Sequence, residues 1–115
     1  MMDGMTIADQ MDQQEEAATP RVLDLELDPP VMFQKKPFAT LHLEEPTGKM
    51  MERCEMELQG GVNSYSLRRA QITLIAAVAK VPREVVEGMP IGQIARAWDF
   101  LLKLLPAGQV IGAIS

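Results

Sequence analysis

The stretch SLRRAQITLIAAVAKV, residues 66–81, decides the fold. On a helical wheel Leu67, Ala70, Leu74, Ala77, Val78 and Val81 make one apolar face, and Ile72, Ile75 and Ala79 carry apolar surface well round the side. Arg69, Thr73 and Lys80 leave a narrow polar wedge, with Arg68 and Gln71 near the start. Such a helix either sits at the centre of a bundle or meets a partner. The spacing predicts a helix over 67–80 with Ser66 as its N-cap.

The flanking sequence supplies what such a helix packs on. Upstream, Leu23, Leu25 and Leu27 alternate with Asp24, Glu26 and Asp28, the period of a half-buried strand. Pro29 and Pro30 cannot donate to a ladder, so the strand must end, bend or run along an edge there. Gln34 to Pro37 reads as a turn, after which Ala39, Leu41 and Leu43 alternate with Phe38, Thr40 and His42. The result is a β-hairpin over 22–44. Thr47 then caps a short helix over 48–58, in which Met50, Met51, Cys54 and Leu58 share a stripe, and Gly60 with Gly61 stops it.

Downstream, Pro82 admits one turn of helix over 83–87, closed by Gly88. The final helix, 91–105, places Ile91, Ile94, Trp98, Leu101 and Leu105 three and four apart, with Ala95 and Leu102 beside them. The fold class is therefore α+β: an N-terminal hairpin followed by a small three- to four-helix bundle over 22–105. Residues 1–21 read as a disordered acidic tail and 106–115 as a loose C-terminal tail.

Composition narrows the function. The chain has 115 residues and a net charge of −5, with 13 acids against 5 bases in residues 1–60 and 3 against 6 in residues 61–115. The two halves attract, and the overall balance argues against nucleic acid as a partner. No apolar run approaches the roughly 18–20 residues that span a bilayer, so no membrane association is expected and the chain reads as cytoplasmic. Nine methionines against 4% aromatic residues make an adaptable core and soft contact surfaces.

The signatures of nucleophilic, metal-dependent and phosphate-binding chemistry are missing. His42 beside Glu44 and Glu45 reads as a solvated strand histidine, Cys54 as a core thiol and Trp98 as packing. The single cysteine and single histidine give no metal framework, and no cofactor is expected. Met56 points away from its helix's stripe. Met56, Ile72, Ile75 and Ala79 are therefore the candidate surface for a client or for self-association. On that reading, Ile75→Glu weakens association and leaves helicity intact.

The order of segments resembles a known family. Asp28-Pro29-Pro30-Val31 leads through a turn to Thr40-Leu41-His42-Leu43-Glu44-Glu45-Pro46-Thr47-Gly48, then come the two helices, Val81-Pro82-x-x-Val85-Val86 and a Leu-rich helix. Over residues 22–105 this looks like the phage tail assembly chaperones of contractile-tailed and Mu-like phages, although Glu44 stands where members often carry a basic residue. The resemblance implies a small non-enzymatic chaperone made in the bacterial host, acting on the tape measure protein and on tail tube protein. It also implies a homo-oligomer that is absent from the finished virion, and in many members a frameshift-extended second form. A structural tail or baseplate protein, and a helix-turn-helix regulator, are the competing classes.

Overall fold

A computed structural model describes residues 21–105; the expectations for the two tails fall, apart from Arg21, outside that range. Strands β1 (Leu23–Phe33) and β2 (Lys36–Leu43) form an antiparallel hairpin, followed by helices α1 (Gly48–Met56), α2 (Ser64–Ala79), α3 (Arg83–Glu87) and α4 (Ile91–Leu104). The α+β class is as read, with four helices.

The hairpin turn is tighter than Gln34 to Pro37. Only Gln34 and Lys35 lie outside the strands, with φ of 51° and 65°, and Lys36 already pairs with Phe33. Two successive left-handed residues match the right-handed twist of the strands they join, although neither is the glycine or asparagine that usually signals such a turn.

Near the base of the hairpin Leu23 faces Leu43 and Leu25 faces Leu41; nearer the tip Val31 faces Phe38. Between Glu26 and Val31 the register shifts. The prolines thus sit in a bulge of a continuous β1, where no ladder donor is needed. The shift is by three residues, an odd number, so the inward set of β2 changes parity across it. Leu41 and Leu43 are buried, but beyond the bulge Phe38 is half-buried against the core and Ala39 is exposed. This corrects the placement of Ala39 on the inner face.

Helix α2 lies at the centre of the molecule. It packs against β2, α1, α3 and α4, while β1 meets α3 and α4. Ala70, Leu74 and Ile75 are wholly buried, and Ile72, Ala76 and Val78 nearly so. Of the two readings open to an over-apolar helix, the central one holds. Burial of each large side chain there contributes on the order of 1.5–3 kcal/mol.

The helix starts one turn earlier than expected. Asn63 is the N-cap, its side chain accepting from the Ser66 amide at 2.9 Å, while the Ser66 hydroxyl accepts from the Asn63 amide at 2.9 Å. Ser66 therefore completes a capping box from the third helical position instead of capping the helix itself. At the far end Lys80 closes α2 in the left-handed region at φ 60°.

The other ends need smaller corrections. Thr47 caps α1 as read, accepting from the Met50 amide at 3.2 Å, but α1 stops at Met56 and the chain turns over the next four residues. Gly61, at φ 121°, supplies the positive φ. Helix α3 has the expected bounds. A Cβ at Gly88, just after it, would lie 3.1 Å from Cγ1 of Val31, a tight contact that the valine would have to relieve by a few tenths of an ångström. Helix α4 buries Ile94, Ala97, Trp98, Phe100, Leu101 and Leu104, whereas Ile91 is 56% exposed and Ala95 faces out. Its inward face is rotated from the one expected, and the helix packs against both α2 and β1.

Candidate docking surface

The C-terminal end of α1, the middle of α2 and the start of α3 converge on one carboxylate. Glu57, just past α1, accepts from the Thr73 hydroxyl at 2.8 Å and from Nε of Arg69 at 3.2 Å, and lies 3.6 Å from Nη1 of Arg83. Arg83 also donates to the Thr73 hydroxyl and reaches Glu87 at 3.6 Å. The Thr73 hydrogen bond, helped by Arg69 and opposed by partial burial, holds the Glu57 carboxyl below the usual carboxylate range. Three elements separated in sequence are thereby fixed to one another by a partly buried network.

Beside this network lies a cleft of about 400 Å³, floored by Ala76, Ala77 and Val81 and edged by Arg53, Met56 and Arg83. Met56 is 64% exposed at its rim. One nitrogen of Arg83, Nη2, is buried without a hydrogen-bond partner. At the start of α2 Tyr65 is also exposed, with the Arg69 guanidinium 5.7 Å from its ring centroid.

Of the residues singled out from the sequence, Met56 is on the surface and Ala79 is half-buried, packed against the core. Ile75 is 0% exposed and Ile72 8%, so neither presents a surface. The wheel placed them beyond the apolar face; the bundle covers that side as well. Sequence reasoning missed the network itself, with Thr73, Arg83 and Glu57 at its centre. A usable signal was present in the i, i+4 placement of Arg69 and Thr73 on the polar wedge opposite an acidic helix end.

The residues that invite a catalytic reading are placed otherwise. The Cys54 thiol is buried, donates to the Ala70 carbonyl at 3.3 Å, and is pushed up to about 12 by desolvation. His42 is exposed between Asp24, at 2.7 Å, and Glu44, at 3.3 Å. Trp98 is core. No helix among the described residues is long and apolar enough to cross a membrane.

What the surface offers is guanidinium groups, a carboxylate and an apolar floor, side-chain types common at protein–protein interfaces. The chain belongs to the family of phage tail assembly chaperone proteins, E, or 41 or 14, which matches residues 24–105. That span takes in the hairpin and all four helices. Neither the curated proteins nor the solved structures contain a match to it.

Proposed function

We propose that this protein is a non-enzymatic chaperone of tail morphogenesis that binds the tape measure protein, keeps it soluble in the host cytoplasm and helps bring tail tube subunits to it. The observation that carries the reading is the family match over residues 24–105, from the second residue of β1 through α4. The surface is consistent with such a client. A tape measure protein presents long apolar helical stripes before the tube encloses them, and a cleft edged by a flexible methionine and floored by small side chains accommodates many non-identical stretches. Met56, at the cleft rim, belongs to this contact region. The chaperone acts as an oligomer and leaves before the particle is complete.

Co-expression with the tape measure protein of the same phage, followed by size-exclusion chromatography, tests the reading. The two proteins should co-elute, and the tape measure protein expressed alone should aggregate. Mass spectrometry of purified virions should then find no peptide from this chain; stoichiometric recovery from virions would identify a structural tail protein instead.

A further inference from the structure

We infer that a pocket at the tip of the hairpin takes the base of the hairpin of a second copy of this chain, so that copies join head to tail. The pocket is separate from the cleft between α1, α2 and α3. It holds about 300 Å³ and is lined by Phe33, Gln34, Lys36, Phe38, Lys80 and Pro82. Phe33 and Phe38 are half-buried against the core, and the Lys36 ammonium lies 5.4 Å from the Phe38 ring centroid. Lys35, Lys36 and Lys80 are exposed, and none of them makes an ion pair among the described residues. The other charges on the bordering segments are Arg83, Glu84 and Glu87 of α3, and Arg83 is turned to Glu57 and Glu87. Lys35, Lys36, Lys80 and Arg83 against Glu84 and Glu87 leave the tip at +2.

The other end of the same hairpin carries the complement. Val22 is 44% exposed. It precedes the Leu23–Leu43 pair, so Asp24 follows it on the same face of β1 and Glu44 stands across from it. Glu26 and Asp28 continue the exposed acidic row, and His42 engages one oxygen each of Asp24 and Glu44. With Glu45 these carboxylates stand against Arg21, which Glu45 holds, and Lys49 at the start of α1. The base is thus at −3 with His42 neutral and at −2 with it protonated. An apolar side chain framed by carboxylates faces solvent at one end, and an apolar pocket framed by ammonium groups lies at the other.

A chain cannot close this contact on itself, because the 11 residues of β1 put about 36 Å between the two ends at ~3.3 Å each. Nor does a two-fold pair close it. Phe33 shares a face of β1 with the buried Leu25 and Leu27, toward the helices, whereas Asp24 and Glu26 lie on the opposite face. A neighbour seated in the pocket is therefore on the helical side of the hairpin, and a neighbour whose pocket receives Val22 is on the other side. Two different neighbours are needed, which makes the contact heterologous and extends copies into a ring or an open row. The inference rests on the oligomer proposed above, to which it gives an interface, and uses nothing of the client.

Sedimentation velocity on the full chain tests it. At about 0.01 M salt, where charges act over roughly 30 Å, the mean mass should rise with concentration past that of a dimer. At about 1 M, where they act over roughly 3 Å, it should fall back toward that of the protomer. Lys35→Glu with Lys36→Glu, and separately Glu26→Lys with Glu44→Lys, should each weaken association by at least ~100-fold. Their far-UV circular dichroism spectra should be unchanged, because all four side chains are exposed. An equimolar mixture of the two variants should associate again, since each surface then meets one of opposite charge, and that recovery also shows both to be folded. Growth that stops at a dimer, association indifferent to both reversals, or variants that stay apart when mixed overturns the inference. So do monomers at both salts, which would leave the pocket to a different protein. Co-elution with the tape measure protein is read on separate samples; where it persists in any of these cases, the contact falls and the client reading stands.

Discussion

Buried against the Ala70 carbonyl, Cys54 is held as a neutral thiol, because desolvation disfavours the thiolate that would attack a reagent. With its pKa pushed up to about 12, it should be silent to an aromatic disulfide reagent at pH 8 in native protein and react at once in denaturant. Fast native-state labelling would mean that α1 is not seated on α2. His42 makes the opposite kind of prediction. Hydrogen bonds to Asp24 and then Glu44 raise its pKa above the ordinary 6.5. A folded value above the unfolded one favours the native state fully below about pH 6.5, and that contribution is lost as pH rises through the folded value. An NMR titration should place the His42 midpoint above 6.5, and Asp24→Asn should bring it down. The effect on stability is small, since the whole group is solvated.

At the scale of elements, helix ends carry the clearest consequences. Asn63→Ala removes the side-chain half of the capping box and should cost roughly 1 kcal/mol, read as a lower denaturant midpoint with an unchanged slope. At the other end Lys80 occupies the left-handed region, where a side chain costs roughly 1–2 kcal/mol. Lys80→Gly should therefore raise the midpoint by a comparable amount, and a fall would show that the lysine makes a compensating contact. These ends also show how far the sequence could be read. Period two and period 3.6 located the hairpin and the four helices, because burial on one face leaves that mark. The start of α2 was read three residues late, because Ser66 is as good a cap by residue type as the Asn63 that caps the helix. The Ser66 hydroxyl's bond to the Gly61 carbonyl, at 2.8 Å, depends on a loop path that no wheel displays. The face change in β2 was hidden for a similar reason: the bulge that causes it lies in the other strand.

At the scale of the whole molecule, a wheel reports how much of a helix is apolar and is silent on what covers it. Ile75 and Met56 looked alike as candidate contact residues, yet the first is wholly buried and the second is 64% exposed. The structure therefore reverses the expectation for a charge at position 75: Ile75→Glu places an unpaired carboxylate among α2's neighbours and should unfold the domain. A truncation series separates the two residues without that catastrophe. Ile75→Ala leaves a cavity and should cost roughly 2–5 kcal/mol, a large share of the ~5–15 kcal/mol by which a domain is stable. Met56→Ala, at the cleft rim, should change stability by no more than about 0.5 kcal/mol. Client retention should show the reverse ranking once both variants are studied well below their denaturation midpoints. Met56→Ala should weaken co-elution with the tape measure protein, and Ile75→Ala should keep it for as long as the fold persists. If Ile75→Ala instead left the denaturant midpoint unchanged and abolished co-elution, α2 would have to be uncovered in solution. The cleft would then be only one edge of a larger contact surface running along that helix.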